Sequence, residues 1–217
     1  MKLRAALIGC GRIGTKKHIE AFAANSDMID LVAVCDLVPE KAERAAEEYM
    51  KRREISLNRG DEERIREKDE TQNGQSRLSS SPASEPDLQR PRVISDYKEL
   101  FSSQIDFVTI ATESGNHYKN TIDFLSAGKH VLVEKPMALA SEHMDQMIAL
   151  SREKKLKLAV CVQNRFNPPV QELRKAIDSG KFGRVLLQRH GSSGTETRNI
   201  TSKPVGEERG RWTVALS

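Results

Sequence analysis

Two short runs in this chain hold the residue types that chemistry needs. The first is Gly9-Cys10-Gly11-Arg12-Ile13-Gly14, directly after the largely apolar stretch Leu3 to Ile8. G-x-G-x-x-G between a strand and a helix forms a cradle for a dinucleotide. Gly9 permits the tight turn out of the strand, Gly11 lets the backbone approach a pyrophosphate, and Gly14 lets the helix pack closely on the sheet. The helix start offers free N–H groups and a positive dipole end to the phosphates. Asp36 closes the next apolar run, Leu31 to Cys35. It stands about twenty residues past the last glycine, where a carboxylate can accept from both ribose hydroxyls. The same charge repels a 2′-phosphate, so the expected cofactor is NAD rather than NADP.

The second run is Glu134-Lys135-Pro136, which ends Val131-Leu132-Val133. Charged residues at the carboxyl end of a strand in an alternating α/β chain face the ligand crevice. Pro136 biases Lys135 towards an extended backbone and allows a cis bond. A partly desolvated lysine there can reach both cofactor and substrate and share in acid–base work. From spacing alone, a salt bridge at a strand end is an equal reading.

These residues need a scaffold. Helical spacing places Ile19, Phe22 and Ala23 on the buried face of a first helix, and Pro39 opens a second. Phe107 to Ala111 reads as a strand covered on both faces. Asn116 is the expected N-cap of a helix that Gly128 stops; His130 to Val133 is the next strand. Ser141 is the expected cap of a helix with Met144, Met147 and Ile148 on its apolar face, and Leu156 to Val162 gives a further strand. The alternation predicts a doubly wound parallel sheet. Residues 51–92, crowded with Arg, Glu, Asp, Lys and Ser, break the rhythm and lack apolar periodicity. They read as an inserted disordered loop, a spacer or a partner's docking arm, at the amino ends of the strands and away from the crevice.

Net charge is only +4 with both signs interleaved, and aromatics are 5%. A nucleic-acid surface needs a clustered basic stripe, so that class is set aside. The three cysteines, Cys10, Cys35 and Cys161, have no ligand spacing, and no metal site is expected. Cys10 and Cys35 read as buried thiols, with a redox pair as the alternative. Lys2 and Arg4 before Leu7-Ile8-Gly9-Cys10 resemble a lipoprotein box, but the apolar stretch is too short for a signal. With no membrane-length apolar run, the expected location is cytoplasmic. His18 reads as a packing or capping residue, and His117, by the crevice, as a cofactor contact.

The glycine run, Ala111-Thr112-Glu113-Ser114-Gly115-Asn116-His117 and Glu134-Lys135-Pro136 together resemble the Gfo/Idh/MocA oxidoreductase family. The resemblance implies a Rossmann domain, here residues 1–162, followed by an α+β substrate domain with an open-faced sheet. It implies NAD-dependent hydride transfer at a sugar or polyol carbon, with Lys135 at the active site and Thr112, His117 and Glu134 lining the cofactor. A narrower resemblance, carried by Gln163-Asn164-Arg165-Phe166-Asn167-Pro168-Pro169, is to the branch of 3-dehydrogenases acting on UDP-N-acetylglucosaminuronate in surface-polysaccharide synthesis. It implies that Gln163, Asn164, Arg165 and Asn167 bind a small nucleotide-sugar substrate. The family's D-x-x-x-H segment and long antiparallel sheet have no counterpart here. Residues 163–217 are therefore read as an incomplete substrate and oligomerisation domain, and the chain as a fragment or a truncated product. A complete form would be a homo-oligomer. The alternatives are a catalytically silent NAD-binding or interaction module, and a dehydrogenase of inositol or a free sugar.

Overall fold

The strand segments are buried in alternation on two sides, and that pattern builds the fold. A computed structural model describes residues 2–71 and 89–182. Its strands are β1 (Leu3–Ile8), β2 (Ile29–Cys35), β3 (Arg92–Ile94), β4 (Phe107–Ile110), β5 (His130–Glu134) and β6 (Leu158–Cys161). They form one six-stranded parallel sheet in the order β3-β2-β1-β4-β5-β6. Successive strand residues point to opposite faces. Ala5 and Leu7 of β1 pack on one side with α1 (Ile19–Ala24) and α2 (Pro39–Thr71). Ala6 and Ile8 pack on the other side with α3 (His117–Ser126) and α4 (Ser141–Glu153). This is the doubly wound α/β Rossmann arrangement. Its strand order reverses between β1 and β4, where ligand crevices form beyond the carboxyl ends.

The alternation skips once. Ala5 pairs with Leu31 but Ala6 with Ala33, a bulge at Val32. One extra residue lets Leu31 and Val34, three apart, reach the same core. On α2, Ala42, Ala45, Ala46 and Tyr49 form a fully buried stripe at helical spacing. The small alanines let the helix lie close to the sheet.

Residues 51–71, expected in a loop, instead continue α2. Their Arg, Glu and Lys are strong helix formers, and a helix already anchored by its alanine stripe propagates through them without an apolar face of its own. The Glu48–Arg52 pair at 2.6 Å, one turn apart, supports the junction. The rest of the expected loop as far as residue 88 lies outside the described residues. Two caps also differ. Asn116 stands at the cap of α3 and Ala140 at that of α4, and neither side chain bonds the helix. Asn116 Nδ2 donates to Glu113 instead.

The chain divides into two units, Met1–Arg165 and Phe166–Ser217. In the second unit the described element is α5 (Pro168–Asp178), opened by two prolines and followed by Gly180 at φ +72°. Among the described residues no helix is long and apolar enough to cross a membrane.

Candidate active site

The carboxyl ends of the strands enclose a crevice of about 1380 Å³, lined by Gly9, Gly11, Arg12, Ile13, Asp36, Thr112, Glu134, Lys135 and Gln163 among others. The glycines differ in what they permit. Gly9 has φ +94°, and a Cβ there would lie 2.6 Å from the Ala111–Thr112 peptide. A Cβ on Gly14 would sit 2.1 Å from the Gly9 carbonyl oxygen. Gly14 is buried and does not line the crevice, so it serves the close helix–strand packing. Gly11 has nothing within 4 Å of a Cβ position. Its bare backbone borders open space, the form a diphosphate cradle requires. The helix begins there: Thr15 N–H donates to the Gly11 carbonyl at 2.9 Å, and a π-type turn over Gly14–His18 leads into α1.

Asp36 closes the cradle from β2. One carboxylate oxygen accepts from the Cys10 N–H at 2.8 Å and the other from the Val38 N–H at 2.9 Å. Each oxygen keeps a further lone pair for a ribose hydroxyl. Cys10, expected to touch cofactor, faces the core with its thiol. Its Sγ donates to the Cys35 carbonyl at 3.6 Å, and the residue does not line the crevice. Burial, then the charge of Asp36, pushes the thiols of Cys10 and Cys35 up to about 12. Both cysteines are free and buried.

On the other rim, both oxygens of Glu134 have a partner. One oxygen bonds His18 Nε2 at 3.0 Å and the other accepts from the Lys135 N–H at 3.0 Å. This fixes the turn into the cis Lys135–Pro136 bond. The Lys135 side chain is exposed and lines the crevice. His117 is 1% exposed. Its Nδ1 faces the Pro136 carbonyl oxygen at 2.7 Å and its Nε2 the Thr112 carbonyl oxygen at 3.1 Å. His117 also lines the crevice, and its ring lies between the two loops on that rim. Thr112 Oγ1 donates to Asn120 at 3.2 Å.

Spacing gave no hint of one cluster. His18, Glu134 and Cys161 bring three potential ligand atoms within 4.8 Å of one another. Glu134 and Cys161 are register partners on β5 and β6, and His18 reaches them from the first helix. The His18–Glu134 hydrogen bond satisfies that pair directly. Burial, then Glu134, holds the Cys161 thiol up at about 11. The pairing is long-range, so only the fold reveals it.

Of the expected substrate residues, Gln163 borders the crevice. Asn164 and Arg165 share its exposed 3₁₀ turn, Gln163–Phe166, outside that lining. Asn167 belongs to the second unit, where it caps α5 by position and its carbonyl accepts from Val170 and Gln171. The crevice also carries Lys17, Lys41 and Lys119 beside Arg12 and Lys135, a cationic balance suited to a diphosphate.

Comparison with known proteins agrees with this geometry. A profile described as the oxidoreductase family with NAD-binding Rossmann fold, GFO_IDH_MocA, matches residues 66–162. The inositol 2-dehydrogenase of Rhizobium meliloti (strain 1021) is 31% identical over 187 residues, covering 86% of this chain and 44% of that protein. The D-glucoside 3-dehydrogenase of Escherichia coli (strain K12) is 26% identical over 185 residues, covering 85% and 42%. A crystal structure of the WlbA dehydrogenase of Chromobacterium violaceum, in complex with NADH and UDP-GlcNAcA, matches with a TM-score of 0.63 and 28% identity, covering 84% of this chain and 41% of that one. The chain spans less than half the length of these two curated relatives.

Proposed function

We propose a substrate and a chemical step for this chain, which belongs to the Gfo/Idh/MocA oxidoreductase family through its NAD-binding Rossmann domain. The substrate is a nucleotide sugar of the UDP-N-acetylglucosaminuronate type. The step removes hydride from a secondary hydroxyl-bearing carbon, C3 of the sugar. One observation carries this reading: Lys135 lines the crevice, as Thr112 and Gln163 do, in a chain 28% identical to a dehydrogenase solved with NADH and UDP-GlcNAcA.

When bound, NAD supplies the hydride acceptor at its nicotinamide. The chain's own residues position and hold. Gly11 admits the diphosphate to its backbone, and Asp36 accepts from the adenosine ribose hydroxyls. Glu134, pinned by His18, fixes the backbone of Lys135. The Lys135 amine then orients the reacting hydroxyl and takes part in moving its proton. Gln163 meets the sugar. Asn164 and Arg165, on the same turn outside the lining, meet the part of the substrate that projects from the crevice, where a guanidinium pairs with a carboxylate or phosphate. Oxidation of inositol or a free sugar is a second reading, favoured by the 31% identity to an inositol 2-dehydrogenase over 86% of this chain.

The test is NADH formation by the chain with UDP-N-acetylglucosaminuronate, UDP-N-acetylglucosamine, inositol and a glucoside, alongside binding of UDP alone. Expected is turnover with the uronate and a loss of about a hundredfold or more in Lys135→Ala, the scale of acid–base contributions. Turnover confined to inositol or the glucoside, without UDP binding, moves the assignment to the second reading. NAD binding with no turnover of any substrate assigns a silent module instead.

A further inference from the structure

The helical stripe that anchors α2 does not stop at Tyr49. Four residues on, the same face carries Arg53 inward, where a leucine would ordinarily follow. Arg53 is 7% exposed, and its Nε is buried without a hydrogen-bond partner. A buried guanidinium N–H that lacks a partner is unfavourable, and folded chains retain one where something of opposite charge meets it.

Arg53 lines a cavity of about 480 Å³ at the amino ends of β1, β2 and β3, the opposite end of the sheet from the NAD crevice. Lys2, Arg4, Arg90 and Arg92 line it too, and Asp30 is the lone carboxylate among its lining residues. Asp30 is taken by Lys2 at 3.5 Å. Arg90 and Arg92 lean on Glu43 at 2.6 Å and Glu99 at 3.8 Å. The Arg4 guanidinium bonds only the neutral amide of Gln104. Among the described residues, Arg4 and Arg53 therefore have no carboxylate partner. Two guanidinium groups without a carboxylate partner in one concavity, with Lys2, Arg90 and Arg92 also lining it, supply the positive charge and N–H donors that a phosphate dianion takes.

We propose that this cavity binds a phosphate group, free or carried on a small ester, through Arg53 and Arg4, as a site separate from the NAD crevice. The occupant joins α2 to the amino ends of three strands, so its binding raises the stability of the folded chain by mass action.

The experiment is thermal unfolding of the whole chain at constant ionic strength, with inorganic phosphate exchanged for chloride, together with phosphate affinity by calorimetry. The expected result is a midpoint that rises with phosphate. In Arg53→Met the midpoint without phosphate starts higher, because the orphaned charge is gone. The phosphate-dependent rise then disappears, and affinity falls by about tenfold or more, the scale of a lost charge-assisted bond. Arg4→Met loses affinity similarly without the higher starting point. NAD affinity stays unchanged in both variants. Phenyl phosphate separates the sources: tighter binding than inorganic phosphate assigns an ester, weaker binding the free ion. Absence of a phosphate-dependent rise, or an equal rise in Arg53→Met, overturns the proposal. A lower starting midpoint in Arg53→Met overturns it as well, since the guanidinium is then neutralised by the chain's own acids. Loss of NAD affinity in either variant overturns the separateness of the two sites.

Discussion

Replacing Asp36 by alanine tests the cradle in two independent ways. The carboxylate accepts from a backbone N–H on each side, Cys10 at 2.8 Å and Val38 at 2.9 Å. Cys10 is buried and Val38 exposed. Water replaces the partner of Val38 but not that of Cys10. An unsatisfied buried N–H costs about 1–3 kcal/mol. In a domain of this size each kcal/mol lowers the melting midpoint by roughly 2–4 °C. Asp36→Ala is therefore expected to melt several degrees lower with no coenzyme present. The NAD effect is separate. Bonds from the ribose hydroxyls to a charged acceptor contribute about 1.5–3 kcal/mol. Their loss weakens NAD binding by about ten- to a hundredfold. Asp36→Asn keeps an acceptor for Cys10 and removes the charge. Repulsion of a 2′-phosphate at this half-buried position is worth at most about 4 kcal/mol per unit charge at 4 Å, reduced further by solvent and salt. The discrimination against NADP should shrink accordingly. Calorimetric titration of the apo chain with NAD and NADP, beside thermal melts, reads all three quantities. An unchanged NAD affinity in a folded Asp36→Ala protein refutes the ribose assignment. An unchanged apo midpoint refutes the structural role of the Cys10 bond.

Gly14→Ala would place a methyl 2.1 Å from the Gly9 oxygen, a backbone atom that cannot yield. It is expected to cost about 3 kcal/mol or more in urea unfolding, while Gly115→Ala, with nothing within 4 Å, stays within about 0.5 kcal/mol. The thiols of Cys10 and Cys35 ionise near 9.0 in the unfolded chain and only near 12 when folded. Between those values the unfolded state binds fewer protons, so stability falls as pH rises through that window. The double variant Cys10→Ala/Cys35→Ala should show a flatter alkaline decline in its urea midpoint. An unchanged slope contradicts the burial of those thiols.

The sheet and its cradle were legible in the sequence because both rest on local signals. Unbroken apolar runs marked strands covered on both faces, and three glycines at fixed spacing marked a turn, an approach and a packing contact. What stayed hidden was mostly long-range or set by a competition. The reach of α2 was decided by helix propensity against the missing apolar stripe, and propensity prevailed. The role of His18 depends on Glu134, 116 residues away, and that of His117 on Pro136, 19 residues away. No spacing rule links those positions. Cys10 lies inside the cradle motif, yet its side chain turns to the core, because the turn at Gly9 aims alternate residues apart.

His117 has a mechanical consequence. A single imidazole lies between the Thr112 carbonyl oxygen after β4 and the Pro136 carbonyl oxygen after β5; a neutral ring donates to one of them and bonds both only as imidazolium. The two banks of the crevice cannot separate without breaking the hydrogen bond that this ring makes between them. The spacing of the two loops is thus tied to one buried ring that belongs to the fold itself.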